Sequence, residues 1–181
     1  HDRVSPKILK LLCHQLAPSL TELFNTAIKQ STWPTEWKKG VWVPVYIKEG
    51  PHCKENYRPV TILSALGKVF EKLLTTQLSE SVNNILDCFQ SAYRRSYSCK
   101  TTLIRLVEDW KHDKDSGKVV GVLSMDMSKA FDLLYPSLLL SKFKEYGLSD
   151  NGTALMQSYF TGRQNKIRLG KTESDCMGEN S

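Results

Sequence analysis

The sequence predicts a mixed α/β fold. Six segments carry apolar residues at helical spacing, and three short runs rich in β-branched residues suit strands better than helices. The chain has 181 residues, of which 40% are hydrophobic. That content allows a buried core for one domain or for two small lobes.

The first part of the chain is predicted to be helical. Apolar residues recur at helical spacing over residues 8–16 and again over residues 20–28, and Pro18 is predicted to separate the two helices. A Trp-Pro pair at 33–34 ends this helical part. Residues 41–47 then form the first predicted strand.

The rest of the chain alternates helices with strands. Helices are predicted over residues 66–82 and 101–110, where apolar residues again form one face. Pro136 suits the first turn of a further helix, which Gly147 closes as a C-terminal cap. The remaining predicted elements are strands over 119–125 and 166–169, a helix over 153–160, and a polar tail.

The positive charge is concentrated in one part of the chain. The formal net charge is +6, and eleven basic but only six acidic residues lie between Glu36 and Arg105. Such a region suits a polyanionic partner, although surfaces that bind nothing carry similar charge. Aromatic residues lie among these cations and either stack on bases or belong to the core. They are Trp37, Trp42, Tyr46, Tyr57 and Tyr93.

The five cysteines do not indicate a zinc site, because none of them has C-x-x-C spacing. An odd count without a secretory leader predicts reduced thiols and an intracellular location, in the cytoplasm or the nucleus. No apolar run approaches the roughly 20 residues needed to span a bilayer, so no membrane partner is expected.

The apolar run over residues 119–125 ends in one carboxylate, Asp126. A carboxylate at the mouth of a buried strand is a hard oxygen ligand suited to Mg²⁺, and paired ions of this kind assist phosphoryl transfer. Taken alone, however, an Asp in such a place is more often a turn former or a helix cap. The local sequence therefore leaves both interpretations open.

Four segments, taken in their order along the chain, bear on the function of the protein. They are Trp37-Lys-Lys-Gly-Val-Trp-Val-Pro-Val-Tyr-Ile-Lys48, Asn56-Tyr-Arg-Pro-Val-Thr-Ile-Leu63, Gln90-Ser-Ala-Tyr-Arg-Arg95 with residues 98–103, and Asp126-Met-Ser-Lys-Ala-Phe-Asp132. Together they resemble motifs of the reverse transcriptases of non-LTR (LINE-type) retrotransposons. The resemblance implies an incomplete right-hand polymerase fold. Its parts would be an N-terminal helical segment over 1–35, fingers over 36–116 and a partial palm over 117–181.

The resemblance also implies roles for individual residues. Asp126 would be the catalytic ligand of Mg²⁺, and Lys48 and Arg58 would contact the triphosphate of the incoming dNTP. Phe131 would lie under the sugar and exclude a 2′-hydroxyl. The implied partners are an RNA template and a DNA primer, with Arg94 and Arg95 as nucleic-acid contacts. Without the resemblance, the cations would be read as surface residues and Phe131 as a core aromatic.

The sequence departs from the family pattern in its downstream half. It contains no Asp-Asp pair and no Pro-Gln-Gly segment, both of which the family uses at the catalytic centre. One carboxylate does not hold two divalent ions against the repulsion of substrate phosphates. We therefore expect the chain alone to be inactive, although its intact parent would copy RNA into DNA. The alternative is a non-catalytic nucleic-acid-binding remnant of a decayed element.

Overall fold

The computed structural model describes residues 4–47, Gly50, 52–127 and 134–178. The chain divides into two units, which are treated separately below. The first unit comprises His1–Leu74 with Tyr135–Ser181, and the second comprises Thr75–Leu134. With 52% of the described residues in helices and 14% in strands, the structure confirms the predicted mixed α/β class.

Helices and strands are interspersed along the described parts of the chain. The helices are α1 (Pro6–Leu11), α2 (Cys13–Lys29), α3 (Ala65–Val82), α4 (Cys99–Asp115), α5 (Pro136–Glu145) and α6 (Asp150–Phe160). The strands are β1 (Lys39–Tyr46), β2 (Tyr57–Ile62), β3 (Gln164–Leu169), β4 (Thr172–Glu173) and β5 (Met177–Gly178). Within the described ranges, no helix is both long and apolar enough to cross a membrane.

The predicted boundary between the first two helices was wrong. Pro18 lies inside α2, and the two helices meet instead at Leu12. Proline lacks an N–H group, so α2 loses one backbone hydrogen bond at this position. Burial of Phe24 and Ala27 on the same helix offsets that loss, because tertiary packing contributes more to helix stability than local propensity does.

Strand β1 is the centre of the sheet in the first unit. It pairs antiparallel with β2 and parallel with β3, and β3 also pairs with β4 and β5. The strands predicted over 41–47 and 166–169 are thus confirmed as β1 and β3. Strand β2 was not predicted from periodicity. Pro59 has no backbone N–H group to donate to a neighbouring strand. Strand β2 tolerates this residue because it is an edge strand, which is paired on one side only.

An aromatic cluster holds the helices of the first unit beside the start of β1. Phe70 of α3 is 1% exposed and stacks on Phe24 of α2 with ring centroids 4.9 Å apart. Trp33 and Trp37, from the connection between α2 and β1, lie 4.7 Å and 5.7 Å from the same ring. The cluster therefore fixes where β1 begins relative to α2 and α3.

Helix α6 joins the same cluster through Tyr159. Its ring lies 4.6 Å from that of Trp33, and its hydroxyl donates a 2.9 Å hydrogen bond to Glu71 of α3. Burial, reinforced by the negative charge of Glu71, raises the pKa of Tyr159 to about 12. The hydroxyl consequently remains a neutral donor at physiological pH.

Capping residues are present at the C-terminal end of α5, as predicted, and at the start of α4, where no cap was predicted. Helix α5 begins at Pro136, and Gly147 follows its C-terminus with a φ of +85°, a conformation that glycine adopts without strain. Helix α4 begins at Cys99, ahead of the start predicted at Thr101, and its N-terminal cap is Ser98. Ser98 accepts a 3.2 Å hydrogen bond from the N–H of Thr101, whose hydroxyl accepts one from the N–H of Ser98.

The strand predicted over residues 119–125 was wrong. These residues form neither strand nor helix, and Val119, Leu123 and Met125 are 98%, 82% and 84% exposed. A strand needs a neighbour that pairs with its backbone and a layer that covers its side chains. The described strands all belong to the first unit, whereas this run belongs to the second.

Removing the ring of Phe70 should destabilise the first unit. We expect Phe70→Ala to lower the free energy of unfolding by about 3 to 5 kcal/mol, because it removes buried area and leaves a cavity. Urea denaturation followed by tryptophan fluorescence reports this change, since Trp33 and Trp37 contact the ring directly. The control is Val69→Ala, whose side chain is 41% exposed on the same helix. Equal effects of the two substitutions would contradict the proposed packing.

Candidate nucleotide and nucleic-acid site

Asp126 lies in the second unit as an exposed residue without regular secondary structure. The structure does not place it at the end of a strand, as the sequence had suggested. No group of three or more His, Cys, Asp or Glu residues suited to a metal ion is present among the described residues. Mg²⁺ demands a nearly octahedral set of oxygen ligands. The described side chains therefore do not by themselves fit this ion.

Arg58 lies in β2 of the first unit with an exposed side chain. It pairs with Val45 across the ladder, so it projects from the sheet face that also carries Val60 and Ile62. A guanidinium on an open sheet face can present two parallel donors to phosphate oxygens. The geometry of Arg58 is thus compatible with a triphosphate ligand.

Three of the residues implied by the resemblance need separate comment. Lys48 and Phe131 lie outside the described residues. Arg95 is exposed in the second unit, within a segment that precedes α4.

Arg94 is half-buried and binds the backbone of its own chain. Its guanidinium donates hydrogen bonds of 3.0, 3.4 and 3.4 Å to the carbonyl groups of Asp87, Gln90 and Asn83. The same group lies 4.9 Å from the ring centroid of Tyr97, within cation–π range. Arg94 therefore holds together the segment that joins α3 to α4, a role that the sequence did not indicate.

Two residues near Arg94 have a left-handed backbone conformation. Tyr93 is 88% exposed and has a φ of +60°, and Ser96 has a φ of +69°. Left-handed backbone at residues other than glycine is uncommon and persists where the surroundings hold it. The bonds of Arg94 to three carbonyl groups lie in the same segment and restrain its backbone.

The aromatic residues that the sequence left open divide into two groups. Trp37 is 6% exposed and belongs to the core. Tyr46 is 49% exposed and Trp42 is half-buried, and both lie on β1. Trp37 lies before β1, in the 3₁₀ turn Thr35–Lys38, whereas Trp42 and Tyr46 lie on the same face of β1.

Comparison with protein families identifies the class of the chain. Residues 38–177 match the model of the reverse transcriptase (RNA-dependent DNA polymerase) family. The matched range contains Arg58, Arg94, Arg95 and Asp126. The chain belongs to the reverse transcriptase family. As a family, these enzymes use divalent metal ions, RNA templates and nucleotide substrates.

Individual relatives narrow this class to the polymerases of mobile elements. The chain is 28% identical over 173 residues to the probable RNA-directed DNA polymerase from transposon X-element of Drosophila melanogaster, covering 93% of the chain and 19% of the relative. It is 26% identical over 167 residues to the RNA-directed DNA polymerase from mobile element jockey of Drosophila funebris, covering 90% and 18%. The resemblance to non-LTR retrotransposon reverse transcriptases is thus confirmed. The chain spans about a fifth of the length of these relatives.

Loss of the Arg94 guanidinium should loosen the segment between α3 and α4. We expect Arg94→Met to accelerate amide hydrogen exchange over residues 83–98 by about tenfold, the factor for losing about 1.4 kcal/mol of local hydrogen bonding. Hydrogen exchange with mass spectrometry measures this rate. Arg95→Met is the matched control, because it removes an exposed guanidinium from the adjacent position. Unchanged exchange in the Arg94 variant would refute the restraining role.

Proposed function

We propose that the chain forms part of a reverse transcriptase that extends a DNA primer on an RNA template. The observation that carries this proposal is the family match over residues 38–177, which includes the Asp126 motif. The reaction would be attack of the primer 3′-hydroxyl oxygen on the α-phosphorus of a dNTP. A new O–P bond forms and the hydroxyl proton passes to solvent. The bond between the α-phosphorus and the oxygen that bridges to the β-phosphorus breaks, and pyrophosphate leaves.

The chain's own residues would supply charge and position for this reaction. Phosphoryl transfer depends almost entirely on positioning and electrostatic stabilisation. Arg58 would hold the triphosphate from the open face of β2, and Lys48 would add a point charge. Phe131 would select deoxynucleotides by occupying the space of a 2′-hydroxyl. Arg95 would contact nucleic acid, while Arg94 shapes the segment that carries it.

Asp126 would contribute one carboxylate to the catalytic centre. Divalent metal ions, when bound, neutralise charge on the phosphates and on the attacking oxygen. The described residues provide only part of the ligand set that such ions need. In our proposal the remaining ligands come from other parts of a longer polymerase, and the chain alone does not catalyse incorporation.

A second candidate function is nucleic-acid binding without catalysis. It is favoured by the excess of basic residues between Glu36 and Arg105. This candidate shares the binding surfaces of the first but assigns no chemistry to Asp126. The two candidates therefore differ in what substitution of Asp126 does.

Substitution of Asp126 tests the catalytic proposal. In a polymerase that joins this chain to the downstream palm of a relative, we expect Asp126→Asn to lower dNTP incorporation about 1,000-fold, the scale of losing one preorganised electrostatic partner. Primer extension on an RNA template with Mg²⁺ measures the rate. Asp109→Asn, at an exposed position of α4, is the control and should retain activity. Equal rates for the two variants would favour the non-catalytic candidate.

Phe131 tests the proposed sugar selectivity. In the same polymerase, Phe131→Val should raise the ratio of rNTP to dNTP incorporation by about 10- to 200-fold, the discrimination that one small group in a pocket provides. A purely structural phenylalanine would instead lower activity toward both nucleotides and leave the ratio constant. The melting temperatures of the wild-type and Phe131→Val polymerases are measured together with this ratio. A lower melting temperature with an unchanged ratio would indicate a structural role.

A further inference from the structure

Helices α1, α2 and α3 of the first unit leave an apolar groove between them, with a volume of about 280 Å³. We call it the helical groove. Its lining is mostly aliphatic and comprises Leu9, Cys13, Leu16, Ala17, Leu20, Thr21, Phe24, Val69 and Leu73. None of these residues takes part in the polymerase reaction proposed above.

The helical groove runs along one face of α2. Cys13, Ala17, Leu20 and Phe24 recur every third or fourth residue, so they lie in one row on this helix. At a rise of about 1.5 Å per residue, the row is about 16 Å long, which corresponds to roughly three helical turns. The groove is therefore an elongated surface rather than a round cavity.

The walls of the groove expose apolar side chains, while its floor is buried. Val69 and Leu73, one turn apart on α3, are 41% and 49% exposed, and Leu20 on α2 is half-buried. Phe24 forms the floor, is 7% exposed and stacks on Phe70 of α3. Because the aromatic cluster joins the two walls, the groove is formed before any partner binds.

Lysines lie on both sides of the groove. Lys68 and Lys72 immediately precede the two groove residues of α3, and both are exposed. Lys10, next to Leu9 in α1, is exposed at the opposite wall. Among the residues that the structure describes, neither Lys10 nor Lys68 forms an ion pair. The rim of the groove is therefore positively charged.

The acidic residues of the same helical segments lie away from the groove. Glu22 is two positions from both Leu20 and Phe24 on α2, which places it about 200° around the helix from each. Glu71 of α3 accepts the hydrogen bond from Tyr159 and so faces α6. A negatively charged occupant of the groove would consequently meet lysines and not glutamates.

The shape of the groove favours an α-helix as its occupant. A helix presents apolar side chains in a row at every third or fourth residue, which matches an apolar groove three turns long. The volume lies below the range of about 300–1,000 Å³ that is typical of sites for small ligands. Nucleic acid would find cations but no exposed ring for stacking, since Phe24 is buried. Bilayers take up protruding apolar helix faces, whereas these side chains line a concave surface.

We propose that the helical groove binds an amphipathic α-helix of a partner protein, with acidic residues on both sides of its apolar row. The apolar row would lie between α2 and α3, and carboxylates beside it would pair with Lys10 and Lys68. Burial of the apolar row would supply most of the affinity, while the exposed ion pairs would set the orientation and speed association. This interaction would attach the polymerase to another protein through residues that have no part in catalysis.

A selection among displayed peptides tests the chemistry of the occupant. The library consists of peptides of about 16 residues, or roughly four helical turns. Leucine occupies one helical face, and the positions beside it vary among glutamate, lysine, glutamine and alanine. The whole chain is the bait. We expect glutamate to dominate the varied positions, and we expect circular dichroism to show that the selected peptide becomes helical on binding.

Substitutions in the groove locate the selected peptide, whose Kd is measured by fluorescence anisotropy. We expect Leu73→Ala to raise the Kd about tenfold, as for a central apolar contact. Lys68→Glu should raise it about two- to fivefold, and less at high salt. Leu23→Ala and Lys29→Glu are the matched controls on α2, because both residues are exposed and lie outside the groove lining. All four substitutions are at exposed positions, so the variants should fold.

Five results would overturn the proposal. Three are the absence of any enriched peptide, enrichment of lysine or uncharged residues beside the leucines, and equal Kd values for groove and control variants. The fourth is self-association of the chain that Leu73→Ala abolishes while no peptide binds, since the groove would then join two copies. The fifth is the same loss of binding to vesicles of phosphatidylcholine and phosphatidylserine. The assays contain no nucleic acid or dNTP, so their failure would leave the polymerase proposal intact.

Discussion

The packing of aromatic rings around Phe70 is the interaction on which the first unit depends. One ring from α2, two from the segment entering β1 and one from α3 meet within 5.8 Å, and each is less than a tenth exposed. Such pairs contribute burial and a geometry-dependent attraction of about 0.5–1.5 kcal/mol each. Because Trp37 leads directly into β1, the cluster sets the position of that strand. Strand β1 in turn provides the ladder for β2 and β3.

The central place of β1 determines how the sheet divides its chemistry. A strand displays alternate side chains on opposite faces, so the neighbours Tyr57 and Arg58 of its partner strand necessarily serve different surfaces. One surface carries Arg58, to which we assign a triphosphate contact, and the other carries Trp42, Pro44 and Tyr57. A one-residue slip of β2 would move its side chains to the opposite face, so the register of Pro44 with Pro59 decides which surface Arg58 occupies.

Elements with strong local signals were predictable from the sequence. The apolar stripe of α3, Pro136 at the start of α5 and the β-branched run of β1 each combine period with a boundary residue, and all three agree with the structure. The errors arose where tertiary context overrides local preference. Pro18 remains within α2 because packing compensates for a lost hydrogen bond, and edge strand β2 accommodates Pro59.

The candidate site was still harder to predict from the sequence, because it depends more on tertiary context. An apolar run ending at Asp126 is a good strand pattern, but pattern alone supplies neither a pairing neighbour nor a covering layer. The role of Arg94 was hidden for a different reason. Its partners are three backbone carbonyl groups, and a sequence gives no sign of which carbonyls remain unsatisfied at the end of a helix.

The central claim is that the aromatic cluster around Phe70 sets the position of β1 and, through it, of the sheet. Amide hydrogen exchange of β1, compared between the wild-type chain and Phe70→Ala, tests it most directly. The account predicts faster exchange at the amides through which β1 pairs with β2 and β3. Unchanged exchange in β1, with a change confined to α2 and α3, would contradict it.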